Sequence, residues 1–270
     1  MGSNHAATGA AGWLILTTQT TIPTAWLNES MGWSLPDLVL GFGWGGLSGL
    51  AIVLGMFLVA GAAMAPDSDH HSATIASSLP PVSQWVCSGI GMVSGGHRHG
   101  THSIVGVAVF TAIAYVAGLW RTDVGPLANV GIGAGILAVL LIAFAAKALK
   151  TIPDTMRKTP WLVGLIGGVL IAVLGPDQTW WLPVAVGLGC TIHLLGDMLT
   201  TEGINLVWPV AIKAPKILHG VPVLNTVWKP NGFLALPVLG SAGSLREYLV
   251  LVPVSIYVIA VTVLVLATAG

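Results

Sequence analysis

The sequence predicts an all-α integral membrane protein with about six to seven transmembrane helices, and three observations carry that prediction. Of the 270 residues, 54% are hydrophobic and only 7% are charged. An ordinary globular chain is about a quarter charged, so a surface this poor in charge must be covered largely by lipid. Several apolar stretches approach the roughly 20 residues that a membrane-crossing helix needs. The lysines and arginines, finally, sort to one side of those stretches.

Residues 6–27 form the weakest segment, because Thr17, Thr18, Gln19, Thr20 and Thr21 interrupt it and Pro23 breaks a helix; a short or partly buried first helix is expected. Residues 38–65 are the longest uncharged run, and Gly41, Gly43, Gly45, Gly46 and Gly49 suit close helix packing in lipid. Residues 103–120, 127–146 and 248–269 are clean spans, with Trp120 and Tyr248 at the ends where amphipathic rings prefer the headgroup region. Residues 161–175 and 179–197 read as a helical hairpin turning at Gly175-Pro176-Asp177-Gln178. The intervening stretches 66–102 and 198–247 are expected to be polar cytoplasmic loops of one domain spanning 1–270. Within the second, the Val/Ile-rich pieces 204–212 and 217–224 suggest a short hairpin or an extended cover.

With these segments, Arg98, Lys147, Lys150, Arg157, Lys158, Lys213, Lys216, Lys229 and Arg246 fall on one side and only Arg121 on the other. The positive-inside rule makes the first side cytoplasmic, with the N-terminus inside and the C-terminus outside. Zero net charge and the absence of a basic run argue against a nucleic-acid footprint. Cys87 and Cys190 form no CxxC or Cys/His pair, and Cys190 reads as a small core residue.

The same topology gathers all eight histidines on the cytoplasmic face: His5, His70, His71, His97, His99, His102, His193 and His219. Asp67, Asp69, Asp197 and Glu247 join them. Imidazole and carboxylate are ligands for Zn²⁺, Mn²⁺ or Fe²⁺, and ionisable groups at a membrane are costly enough to signal function. His193 and Asp197, at i and i+4, share one helix face. Asp67 and Asp69 follow Pro66 in a carboxylate-rich turn, where one can bind metal while the other holds a histidine. Taken singly, each element has a plainer reading, as a hydrogen bond, a cap or a polar loop; their joint placement favours a site, with His219 left out of it.

The strings Pro66-Asp67-Ser68-Asp69-His70, His97-Arg98-His99-Gly100-Thr101-His102-Ser103 and His193-Leu194-Leu195-Gly196-Asp197, followed by Thr200, Gly203 and Trp208-Pro209, resemble the YdjM family of inner-membrane metal-dependent hydrolases. His5 and Glu247 match the family's N-terminal His and its late Glu, and His99 stands where the family usually has Gly. The family is grouped with zinc-dependent phospholipases C, so the resemblance implies one to three divalent ions, zinc first among them, and a phosphoester substrate. The expected metal ligands are His5, Asp67, Asp69, His70, His97, His102, His193, Asp197 and Glu247. Arg98, His97 and Thr101 are the expected catalytic residues, Arg98 as a phosphate clamp.

The function expected is therefore a hydrolase of the inner membrane that cleaves a phospholipid or lipid-linked phosphate through metal-activated water. The bilayer and the lipid substrate are its expected partners, and its oligomeric state is left open. The competing expectation is a divalent metal transporter using the His/Asp cluster as an ion site. Clustering at one end of the helices, and no inverted repeat between halves, weigh against transport. A zinc peptidase is disfavoured because HExxH is lacking, and a structural zinc because cysteines are few.

Overall fold

A computed structural model describes residues 2–70, 73, 76, 81–149, 159–217, 221–241 and 243–268. His71, His219, Lys150, Arg157 and Lys158 lie outside the described residues. The chain is mostly helical, and the expected helices form with shifted ends. Helix α1 (Gly2–Thr17) leads to a small antiparallel pair, β1 (Thr20–Ile22) with β2 (Leu38–Leu40), that encloses the short helix α2 (Ala25–Met31). Then follow α3 (Gly49–Ala62), a 3-10 turn over Pro66–Asp69, and α4 (Val82–Val93). Helix α5 (Ile104–Leu119) and helix α6 (Ile132–Ala148) are joined by a β-hairpin of β3 (Thr122–Val124) and β4 (Leu127–Val130). Helices α7 (Thr159–Leu174), α8 (Trp181–Met198), α9 (Pro222–Val227) and α10 (Leu245–Thr268) complete the order.

Three expected boundaries are corrected. The segment 6–27 stops being helical at Thr17, where the Thr17 and Thr18 hydroxyls bond back to Trp13 and Leu14 carbonyls and a β-branched run follows as strand. The segment 38–65 is helical only from Gly49, because Gly41, Gly43, Gly45 and Gly46 all take positive φ and break the helix N-terminal to Ser48. Ser48 then caps α3, its side chain accepting from the Ala51 N–H. The expected loop 66–102 contains α4, an apolar helix too short to have been separated from its polar flanks.

Helix α3 is the axis. Apolar on every side, it is buried against α1, α6, α8 and α10. Small residues set the spacing: a Cβ on Gly61 would stand 1.9 Å from the Leu141 carbonyl of α6, and one on Gly189 of α8 would stand 2.7 Å from the Val59 carbonyl. Trp13 of α1 closes the packing by donating its buried indole N–H to the Ile52 carbonyl at 2.9 Å.

Gly49–Asp69, Trp181–Met198 and Leu245–Thr268 are long and apolar enough to cross a membrane, while α5, α6 and α7 are apolar but shorter. Rows of exposed Val, Ile and Leu on α5, α7 and α10 form the belt that lipid would cover. Among the described residues of 203–244, none of 204–212 pairs with 217 or 221–224. Ile204 instead pairs antiparallel with Leu234, and Thr200 bridges Gly240. Asn205 and Leu206 dock on the chain before α5, through Asn205 N–H to the Arg98 carbonyl and Ile104 N–H to the Leu206 carbonyl. Outside α9, the described residues of the segment are held against the end of α8 and the chain before α5 by these distant contacts.

Candidate metal centre

Four helix ends meet at one end of the bundle. His5 lies in the first turns of α1, Asp67 and Asp69 in the 3-10 turn after α3, and His97, Arg98, Thr101 and His102 just before α5. His193 and Asp197 occupy the last turns of α8. Proline at the start of Pro66–Asp69 fixes the tight turn that sends both aspartates inward. His102 and His193 are fully buried, Asp197 is nearly so, and Arg98 and His5 are buried as well. The side chains of Asp67 and His97 are 21% and 37% exposed, so these two stand at the mouth.

Three overlapping sets could each hold an ion: His5 with His193 and Asp197; Asp67 with His102 and His193; and Asp69 with His97 and His102. The hydrogen bonds rank them. His193 Nδ1 lies 2.7 Å from the Ala63 carbonyl, which can only accept, so Nδ1 carries the proton. His102 Nδ1 lies 3.2 Å from Asp69 Oδ2 and is protonated for the same reason. Both histidines therefore point the lone pair of Nε2 inward, and the two Nε2 atoms face each other at 3.0 Å. Asp67 Oδ1 lies 3.5 and 3.6 Å from them, and Asp197 Oδ2 3.4 and 3.6 Å. Electron-rich atoms this close in a buried site repel unless a proton or a cation sits among them.

Asp69 has another task. Its Oδ1 accepts from His97 Nδ1 at 2.8 Å, and its Oδ2 accepts from the Thr101 hydroxyl at 2.5 Å and the Arg98 N–H at 3.2 Å, in addition to His102. With its acceptor positions filled, Asp69 orients histidines and has little left for a metal. Burial, the largest single influence on His97, lowers it, but the bond to Asp69 together with the charges of Asp69 and Asp67 raises it above its ordinary value of 6.5.

Arg98 is not an open clamp. Its Nη2 donates to Asp197 Oδ1 at 3.2 Å, and its Nη1 donates to the Thr200 hydroxyl at 3.2 Å and the Gly203 carbonyl at 3.3 Å, with Glu202 at 3.3 Å. Only Nε lacks a partner among the described residues. The residue also holds φ 63°, a left-handed conformation that costs a non-glycine residue roughly 1–3 kcal/mol. Its N–H on Asp69 and its carbonyl under Asn205 keep it there.

Other expected residues stand apart from the three sets. His70 packs edge-on to His97, with ring centroids 4.7 Å apart, and His99 packs edge-on to Phe233. Glu247 accepts from the Asn4 side chain and the Gly243 N–H, tying α10 to the start of α1 rather than pairing with Arg98 or Arg246. Thr200 belongs to the motif but was not among the expected site residues, and Glu202 and the Ala63 carbonyl were not foreseen. Thr200 had a signal, lying one turn beyond Asp197, where its hydroxyl bonds the Asp197 carbonyl. A backbone carbonyl leaves none in a sequence.

The carboxylates Asp67, Asp69 and Asp197, with Glu202 at the edge, outnumber the one guanidinium of Arg98, and this excess of negative charge beside imidazoles suits a divalent ion. No curated protein and no solved structure matches this chain. The family described as YdjM inner membrane protein matches residues 1–268, nearly the entire sequence. The chain belongs to the YdjM family of inner membrane proteins.

Proposed function

We propose that this protein is a metal-dependent hydrolase of the inner membrane that cleaves a phosphoester. In this reading six to seven segments cross the bilayer, and the site and N-terminus face the cytoplasm. The observation that carries it is the pair of facing Nε2 atoms, each fixed as a lone pair by its own Nδ1–H. A zinc ion with bonds of about 2.0–2.1 Å in a tetrahedron separates its ligand atoms by about 3.3 Å. The 3.0, 3.5 and 3.6 Å edges among His102 Nε2, His193 Nε2 and Asp67 Oδ1 fit that spacing. These three would hold the ion, with Asp197 and His5 beside them able to complete its shell or hold a second. Zinc, manganese or iron suits this donor set.

A bound divalent ion supplies Lewis acidity and a nucleophile at neutral pH. The chain's own residues do the rest. Ala63 and Asp69 fix the tautomers of His193 and His102. Arg98 holds Asp197 by one oxygen so that the other faces the histidines. His97, exposed at the mouth with Nδ1 held by Asp69, keeps Nε2 free to pass a proton to a leaving oxygen. Placement at the helix ends supports hydrolysis over transport, because an ion path would need such groups at mid-depth.

The test is hydrolysis of bis(p-nitrophenyl) phosphate and of phospholipid by purified protein, before and after chelation. Turnover that disappears with chelator and returns with zinc, manganese or iron is expected. Metal-loaded protein that cleaves neither substrate would contradict the proposal.

A further inference from the structure

An apolar groove of about 500 Å³ runs between α4 and α5, walled by Val86, Gly89 and Val93 on one side and by Val105, Val109 and Ile113 on the other. Its inner end is Gly100 and Thr101, with Trp208 beside them. Thr101 is shared with the site, since its hydroxyl donates to Asp69 and lies 3.0 Å from His102 Nδ1. The outer end lies along the exposed apolar row of α5, which includes Val109, Ile113 and Val116. The groove thus connects the lipid-facing surface to the rim of the His/Asp cluster.

We propose that this groove holds one acyl chain of a bilayer phospholipid, with the chain along α5 and the phosphate end at Thr101, beside the mouth formed by Asp67 and His97. The proposal rests on the phosphoester reading of the site and names the substrate class that site would take. Three observations select this occupant. The lining is almost wholly apolar, so a water-soluble phosphoester finds no partner along it. The walls α4 and α5 expose valines and isoleucines that a membrane protein turns to acyl chains. Trp208 stands at the polar end, and indoles settle at headgroup depth.

A second apolar cavity, of about 350 Å³ between α5 and α8, is lined by Ile104, Thr191, Leu195 and Met198 among others and does not include Thr101, the residue that joins the groove to the cluster. It serves as the internal comparison. The groove's role is positional: within a bilayer the chain gains little by leaving other lipid, but a seated chain delivers the phosphate in one orientation.

Gly89 offers the probe. A Cβ there meets nothing within 4 Å, and Gly89 lines the groove, so a phenyl ring placed at this position occupies groove space. The full-length protein is reconstituted in nanodiscs of phosphatidylethanolamine and phosphatidylglycerol doped with phosphatidylglycerol bearing a diazirine in its acyl chain. After photolysis, the label is mapped by peptide mass spectrometry. The expected result is label concentrated on α4 and α5, lost to the level of α7 in Gly89→Phe and retained in Ile166→Phe on the exposed face of α7. Val109→Phe fills the groove from the other wall and serves if Gly89→Phe fails to fold. Label spread evenly over α7 and α10, concentrated on Leu194 and Leu195 of α8, or unchanged in both filling variants overturns the proposal. Labelling of the groove without any hydrolysis upholds the lipid site and removes the hydrolase reading. Phospholipid hydrolysis without groove labelling does the reverse.

Discussion

His102 and His193 face each other through Nε2 because a carboxylate and a carbonyl hold their other nitrogens. Asp69 is the lever on this arrangement. In Asp69→Asn the amide cannot accept from His97, Thr101, Arg98 and His102 together, so His102 loses its fixed tautomer. The expected result is metal affinity lowered by roughly 10–100-fold with the fold retained, measured by competition against a chromogenic chelator. Affinity equal to wild type would remove Asp69 from its orienting role. A second expectation concerns pH. In the metal-free chain His97 is raised by Asp69 despite burial. A raised histidine contributes stability that is fully present below its unfolded value, about 6.5, and is lost as pH rises through the folded value. Histidine NMR should show His97 titrating above 6.5 in wild type and moving down in Asp69→Asn; titration at or below 6.5 in wild type contradicts the assignment.

Among the elements, α3 depends on contacts without side chains. Gly61→Leu forces a side chain into the backbone of α6, where even a Cβ would lie 1.9 Å from the Leu141 carbonyl. It should lower the thermal unfolding temperature in detergent well beyond what overpacking by about 1–3 kcal/mol produces elsewhere, with loss of folded protein as the extreme. An unchanged unfolding temperature would contradict the close α3–α6 crossing. The sequence conveyed the helices better than their ends. Apolar runs located α5, α7, α8 and α10 within a few residues, since lipid and core both demand hydrophobicity, whereas the run 127–146 becomes helix α6 only from Ile132, its first residues pairing as β4. They could not show that Gly41, Gly43, Gly45 and Gly46 serve turns rather than helix packing, because composition carries no φ. The choice between a hairpin and a cover for 204–224 was open for a related reason: Ile204 takes Leu234 as its partner, a choice made by tertiary contacts.

At the scale of the whole molecule, seven of the nine expected ligands meet from four chain regions, His5, Asp67 and Asp69, His97 and His102, and His193 with Asp197, while His70 and Glu247 stand apart. Motif spacing made this legible. The division of labour within the cluster was not, because whether Asp69 or Arg98 touches an ion or a neighbour depends on directions that spacing leaves free. Arg121 and Asp177, paired at 2.6 Å, mark the opposite ends of α5 and α8 from the cluster. If the site is cytoplasmic, a cysteine at Asp123 should react with an impermeant maleimide in spheroplasts, and one at Glu202 only after permeabilisation. The reversed pattern would place the site outside.

The account stands on the cluster binding a divalent ion, and elemental analysis of the purified, folded protein tests this most directly. Wild type should carry one or more zinc, manganese or iron ions per chain, and His193→Ala combined with Asp197→Ala should carry fewer, with helicity preserved. Folded wild type that retains no metal after equilibration with all three ions would contradict the account, and the facing histidines would then have to be held together by a proton.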